Sequence, residues 1–150
     1  MPAAGDRVRE LVERVVEALG VGGSVEVSED DEHITAVIRG DDLGLVIGRR
    51  GQTIDALQHL AYRLAADDGA GKRVTVDASG YRERRAAVLR HDADEAAQDA
   101  LRLGRPVSLD PMTAAERRLV HEYLRERGDV ETYSEGQEPE RWLVVAPLED

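Results

Sequence analysis

The chain has 150 residues and a formal net charge of -11 at pH 7, with 41% hydrophobic and 34% charged residues, which suits one ordinary domain or two small ones. The absence of cysteine excludes disulfides, thiol catalysis and cysteine-based zinc sites, and the acidic balance excludes a nucleic-acid binder with a broad basic surface. No apolar run reaches the roughly 20 residues of a membrane span, and the N-terminus lacks the basic start and apolar core of a signal peptide, so we expect a cytoplasmic protein without membrane contact.

The first 80 residues alternate between helical and strand patterns. Apolar residues three and four apart indicate helices, and alternation of apolar with polar residues indicates strands. The predicted elements, in chain order, are a helix at 6–19 ended by Gly20, antiparallel strands at 23–29 and 33–39, a short apolar segment at 45–47, a helix through 54–65, a turn at 67–71 and a strand at 72–78.

Two glycines bracket two arginines between the short apolar segment and the helix that follows it, in the order Gly48-Arg49-Arg50-Gly51. Glycine lets main chain approach a phosphate closely, a helix N-terminus presents unpaired N–H groups, and guanidinium groups add charged donors. This loop is therefore suited to hold a sugar-phosphate backbone, although Gly-x-x-Gly also occurs as a plain turn.

This stretch resembles the glycine loop of the KH domain, whose signature of an apolar residue followed by Ile-Gly-x-x-Gly is met by Val46 to Gly51. KH domains clamp about four nucleotides of single-stranded nucleic acid between that loop and an apolar groove. Helix, two strands, helix, glycine loop, helix and strand is also the order of the prokaryotic, type II KH fold. The resemblance thus implies an α+β KH domain over residues 1–79, with RNA-binding residues Ile47, Gly48, Arg49, Arg50 and Gly51.

The sequence pattern of residues 80–150 predicts a long helix followed by a small α+β module. The helical pattern at 80–104 has an apolar face made mostly of alanine, which is too thin to hold a helix of this length alone. We interpret it as a connecting helix docked on one or both modules. The elements predicted for the module at 105–150 are an extended lead-in, a helix from a capping box at Thr113 and Glu116 to about Arg127, and strands at 130–134 and 141–146 joined by a polar loop at 135–140.

Arg117 and His121 lie four residues apart, hence on one face of the predicted helix. Alone, this spacing fits a solvated arginine and a surface histidine. The tail, however, resembles the R-3-H domain, named for its Arg-x-x-x-His spacing, which binds single-stranded nucleic acid. Its helix is matched from Glu116 through His121, and its strand and loop pattern is matched from Thr132 through Arg141. The resemblance implies that Arg117 and His121 contact phosphate, sugar or base, with Arg118 and Arg141 as supporting cations.

A KH domain followed by an R-3-H domain is similar to the bacterial Jag family, also called KhpB, over about residues 5–148. The resemblance implies a cytoplasmic RNA-binding protein or RNA chaperone that pairs with a small single-KH protein and influences cell envelope and division. Many members carry a further N-terminal domain. We expect no room for one in this chain, which leaves functions of that domain in doubt.

Enzymatic interpretations have little support in the sequence. Gly69 to Lys72 lacks the spacing of a phosphate-binding loop and precedes a strand, the group from His91 to Glu95 offers two ligands on one helix face where a metal needs more, and acid pairs such as Asp41-Asp42 fit turns. We therefore expect no catalysis, cofactor or metal.

Two functions remain. The favoured one is binding of single-stranded RNA, with single-stranded DNA as an alternative ligand, and it requires accessible Arg49, Arg50 and Arg117. The other is an interaction scaffold that uses the KH fold to pair with itself or with another KH protein, and the acidic charge favours it.

Overall fold

A computed structural model describes residues 3–66 and 71–148 of the chain. The chain divides into two compact units, Met1–Arg82 and Glu83–Asp150. Within the described residues, no helix is both long enough and apolar enough to span a bilayer.

The first unit has the predicted KH order of elements. They are α1 (Ala4–Leu19), β1 (Ser24–Glu29), β2 (His33–Arg39), α2 (Gly44–Ile47), a 3-10 turn (Arg49–Gly51), α3 (Gln52–Ala66) and β3 (Arg73–Ala78). The sheet order is β1-β2-β3, with β1 antiparallel and β3 parallel to β2. The turn expected at 67–71 lies, for residues 67–70, outside the described residues.

The core of the first unit lies between the helices and one face of the sheet. Val8 and Val12 of α1, Ile34 and Ile38 of β2, and Ile54 of α3 are fully buried, as their spacing predicts. At the end of β1, Glu29 accepts hydrogen bonds from the Gly5 N–H (3.2 Å) and from Lys72 Nζ (2.6 Å). One carboxylate thereby ties α1 and the start of β3 to β1.

The second unit contains most of α4 (Tyr81–Leu103) and all of β4 (Val107–Ser108), α5 (Ala114–Arg125), β5 (Val130–Gln137) and β6 (Glu140–Pro147). Its antiparallel sheet has the order β4-β6-β5. The predicted capping box is present, since Thr113 Oγ1 accepts from the Glu116 N–H (3.2 Å) and Glu116 Oε1 accepts from the Thr113 N–H (3.0 Å). The other oxygen of Glu116 accepts from Arg85 Nε of α4 at 2.6 Å.

The alanine face of α4 is part of this unit's core, where Ala93, Ala97 and Ala100 are fully buried beside Val120 and Leu124. The sequence pattern alone leaves open which module this helix docks on. Another feature of the second unit differs from the sequence prediction. The polar loop expected at 135–140 is mostly strand, because β5 continues to Gln137 and β6 begins at Glu140. The side chains of this segment are polar and exposed, so they show no apolar alternation that would predict a strand. The strand forms through main-chain pairing and not through side-chain burial.

Candidate nucleic-acid interface

The glycine loop of the first unit needs glycine at both ends. Gly48 has φ 75° and Gly51 has φ 76°, a left-handed region that side chains disfavour. A Cβ on Gly48 would lie 2.3 Å from Thr53 Oγ1, and one on Gly51 would lie 2.8 Å from the Tyr81 hydroxyl. The loop is therefore held with bare main chain at both glycines, and the Tyr81 ring at the start of α4 fixes its second end.

The loop presents its two arginines differently. Arg49 is exposed, and the described residues place no carboxylate within ion-pair distance of it. Arg50 is half-buried and has φ 55° and ψ 25°, a left-handed conformation that costs an L-residue roughly 1–2 kcal/mol. Ile47 is half-buried and packs on the core at the end of α2. The structure thus places the sequence-predicted loop residues together at the start of α3.

A groove of about 500 Å³ runs between α3 and the edge strand β3. The residues lining it are Asp55, Gln58, His59 and Tyr62 of α3 and Arg73, Val74 and Thr75 of β3. The expectation of an apolar groove is wrong, since Val74 is the one aliphatic residue among the described residues that line it. The sequence prediction used the apolar stripe of α3 and missed its polar face. The i, i+3, i+4, i+7 spacing of the four α3 residues was the signal that could have found it.

One main-chain position of β3 is open in this groove. The Arg73 N–H donates to the Glu32 carbonyl, on the β2 side, at 2.9 Å, whereas the Val76 N–H donates in the opposite direction, to Gln58 Oε1, at 2.9 Å. Main-chain groups alternate sides along a strand, so Val74 also faces away from β2. In the described part of the chain, the N–H and C=O of Val74 have no hydrogen-bond partner on that side.

The neighbouring position on the same edge is covered by side chains. Arg82 Nε donates to the Val76 carbonyl (3.0 Å), and Arg82 Nη1 donates to Asp55 Oδ1 (2.7 Å). Because an N–H must donate, the atom of Gln58 that faces Val76 is its oxygen, which leaves the Gln58 amide N–H groups for other acceptors. The strand edge is thus closed at Val76 and open at Val74.

A second cavity, of about 380 Å³, lies between α5 and β5 in the second unit. Its lining residues are Ala114, Arg117, Arg118 and His121 of α5, Thr132, Tyr133 and Ser134 of β5, and Leu143 of β6. His121 Nδ1 and Thr132 Oγ1 are hydrogen-bonded. Arg118 is exposed and pairs with Glu122 at 3.1 Å, a contact that contributes little in water. The cavity brings together three of the four sequence-predicted residues of this unit.

The expectation that Arg117 is an accessible cation is wrong. Arg117 is only 8% exposed, its Nη1 donates to the Met112 carbonyl at 2.7 Å, and its Nη2 donates to Glu138 Oε1. The four-residue spacing identified the helix face but not that the β5–β6 hairpin packs on it. Arg117 therefore anchors the turn at Glu138 to α5.

The fourth predicted cation, Arg141, is not among the residues lining the cavity. It lies on β6, and its Nη1 donates to the Gly136 carbonyl at 3.0 Å. Gly136 itself must be glycine, because at φ 90° a Cβ would lie 2.6 Å from both the Trp142 ring and the Glu140 carbonyl. These residues shape the hairpin that carries β5.

Comparison with known proteins agrees with this arrangement in both units. Residues 6–77 match the family described as KhpA/KhpB, KH domain, and residues 87–147 match the R-3-H domain. A protein named RNA-binding protein KhpB from Clostridium symbiosum is 38% identical over 144 residues, which cover 94% of this chain and 65% of that relative. The chain belongs to the KhpB family. The family and the fold class predicted from sequence are thereby confirmed.

Other KhpB proteins match over nearly the same part of the chain. The Lactiplantibacillus plantarum protein is 41% identical over 133 residues, covering 88% of this chain and 41% of its own length. The Bacillus subtilis protein is 34% identical over 139 residues, covering 90% of this chain and 66% of its own length. The chain thus spans less than two thirds of the length of these KhpB relatives.

Proposed function

We propose that this KhpB-family chain binds single-stranded RNA and catalyses no reaction. The open main-chain position of β3 at Val74, in the groove between α3 and β3, is the observation that carries the proposal. The names of the KhpB relatives, which describe RNA-binding proteins, also support it.

The two parts of the first unit suit the two parts of a nucleotide. Exposed Arg49 and the bare main chain at Gly48 and Gly51 suit a phosphate. The N–H and C=O of Val74 form a donor and acceptor pair that can bond the Watson–Crick edge of a base. A base already paired in a duplex has that edge occupied, so the groove selects unpaired strands.

Aromatic and imidazole rings flank that position. His59 and Tyr62 lie on the α3 wall, and Tyr62 is 48% exposed, which leaves ring surface on which bases can stack. These contacts do not involve the 2′-hydroxyl, so single-stranded DNA is a second ligand of the same site.

Charge sets the strength of binding. With a net charge of -11, the chain gains little long-range attraction for a polyanion, and affinity rests on a few local contacts. Two sites on one chain raise the effective concentration of the second once the first is occupied. The second unit, with Arg118 and His121 at its cavity, is the other proposed site.

Reversal of the loop charges tests the first site. Replacing Arg49 and Arg50 together by Asp should weaken binding of an unstructured RNA oligonucleotide at least about 10-fold, because two charge-assisted contacts become repulsive. The matched control replaces Arg14 and Arg39, exposed arginines of the same unit, by Asp, with the same change in net charge. Equal loss in the two double variants, measured by fluorescence anisotropy, would show general electrostatics and no site.

A second function, pairing through the KH unit, is favoured by two exposed leucines. Leu45 of α2 is 66% exposed and Leu60 of α3 is 56% exposed, and apolar side chains of this size on helices suit a protein interface. A small single-KH protein or a second copy is the partner. Leu60→Glu should lower the mass measured by light scattering for any such complex, whereas Leu103→Glu on α4, also exposed, should leave it unchanged.

Cytoplasmic location, RNA chaperone activity and an influence on cell envelope and division belong to the proposal as well. They rest on the family resemblance.

A further inference from the structure

The hydrogen bonds of β6 fix which way each residue of that strand points. The Leu109 N–H donates to the Leu143 carbonyl (2.9 Å) and the Met112 N–H donates to the Arg141 carbonyl (3.0 Å), both on the β4 side. The Leu148 N–H donates to the Asp129 carbonyl (3.0 Å), on the β5 side. Odd-numbered residues of β6 therefore bond toward β4 and even-numbered ones toward β5.

The register then assigns the directions along β5. Tyr133 lies opposite Val144 and Glu135 lies opposite Trp142, so these are bonded pairs, and the residues between them face away from β6. Those residues are Thr132 and Ser134. Among the described residues, no group hydrogen-bonds to their main-chain N–H or C=O. β5 is an edge strand, and both positions line the cavity beside α5.

This is the same arrangement as in the first unit, built from different elements. In each unit a helix that carries a histidine lies beside an edge strand whose outward main-chain groups are open within a cavity. In the first unit the open position is Val74, and in the second unit there are two, Thr132 and Ser134. Arg118, whose side chain is 80% exposed, lines the second cavity.

We propose that the second unit reads unpaired bases through the main-chain edge of β5 at Thr132 and Ser134, with Arg118 on the adjoining phosphate. His121 is a positioning residue, because its bond to Thr132 Oγ1 holds the strand against α5. The inference rests on the proposed binding of single-stranded RNA and adds where and how the second unit takes part.

The surroundings favour a nucleotide over a peptide strand as the occupant. Inside the cavity the open edge is only two positions long, and at Gly136 the carbonyl is taken by Arg141. An added peptide strand is stabilised by a longer ladder of main-chain bonds. A base needs one donor and one acceptor, and the neighbouring guanidinium suits its phosphate.

A proline substitution tests this directly. Ser134→Pro removes an N–H that makes no ladder bond, a change that edge strands tolerate, while Ser134→Ala removes only the hydroxyl. Against an unstructured RNA oligonucleotide, in the 150-residue chain carrying Arg49→Asp and Arg50→Asp, Ser134→Pro should weaken binding about 3- to 10-fold and Ser134→Ala less than about 2-fold. Equal affinities of the two variants would overturn the inference.

Amide hydrogen exchange of the unaltered chain gives a second measurement. Because it needs no substitution, misfolding of a variant cannot explain its result. The Thr132 and Ser134 amides should exchange quickly in the free chain and slowly with the RNA oligonucleotide, while the Tyr133 amide is protected in both states. Protection of Val74 without Thr132 and Ser134 would overturn this inference and leave the proposed function standing. If the Val74, Thr132 and Ser134 amides all stay unprotected and no RNA binding is detected, both this inference and the proposed function are refuted.

Discussion

Neutralising Glu138 should destabilise the second unit, because Glu138 is the anionic partner of a buried arginine. In Glu138→Gln the side chain keeps its shape and an acceptor oxygen but loses its charge. Among the residues that the structure describes, Arg117, 8% exposed, then keeps only the Met112 carbonyl and a neutral amide as acceptors. A buried guanidinium without a counter-charge is costly.

The two ends of this ion pair differ in exposure, and that sets the magnitude. The side chain of Glu138 is 56% exposed, whereas that of Arg117 is 10% exposed. Fully exposed pairs contribute about 0–1 kcal/mol, and breaking a fully buried pair costs about 3–5 kcal/mol. Because water screens one end here, we expect the free energy of unfolding to fall by about 1–2 kcal/mol, which lowers the Tm of a unit of this size by about 4–16 °C.

Differential scanning calorimetry resolves this loss if Glu135→Gln is measured alongside. Glu135 is an exposed residue of the same hairpin, so both variants change the net charge equally. The transition of the second unit should move only in Glu138→Gln. If the second unit has the same Tm in both variants, the Arg117–Glu138 contact does not anchor the hairpin.

Three further predictions concern the loop, the charge and the pH. Gly51→Ala should lower both the Tm and the RNA affinity, since its Cβ meets the Tyr81 ring at φ 76°; normal values of either, by calorimetry and anisotropy, contradict the proposed role of the loop. RNA affinity should depend only weakly on salt, with a log–log slope of about -3 for four phosphate contacts, and a slope twice as steep would reveal a basic surface that the structure does not explain. The N–H groups of Glu32 and His33 donate to Asp30 at 2.8 and 2.7 Å and hold its pKa below the ordinary 3.8. These two hydrogen bonds therefore stabilise the fold fully above pH 3.8, and their contribution is lost as the pH falls through the lower pKa of the folded state. Acid unfolding followed by circular dichroism should be less steep in Asp30→Asn, and identical curves would exclude this contribution.

Elements with a strong periodic pattern could be read from the sequence. The apolar face of α1 and the Gly20 stop follow from spacing alone, and Gly20 does cap the helix, with its N–H on the Val16 and Glu17 carbonyls. The capping box at Thr113 and Glu116 was equally local. These features depend on residues within one or two turns of each other, which the sequence contains in full.

Features that depend on distant residues could not be read. Nothing near Arg117 in the sequence shows that Glu138, 21 residues away, will bury it. The open edges of β3 and β5 depend on which alternate residues of each strand bond to the neighbouring strand. The sequence pattern of one strand does not contain that information. The glycine loop was found because its residues are contiguous, whereas the groove is assembled from α3 and β3, which lie apart in the sequence.

The single lysine has a practical consequence for mapping RNA contacts. Lys72 is the only lysine in the chain, its side chain is 19% exposed and ion-paired with Glu29, and it lines neither cavity. The bond to Glu29 raises the pKa of Lys72, so less of this side chain is in the amine form that acylating reagents need. Amine-directed crosslinkers thus have a single, ion-paired lysine side chain to report on, and photochemical capture or arginine-selective dicarbonyl reagents are better suited to mapping RNA contacts on this protein.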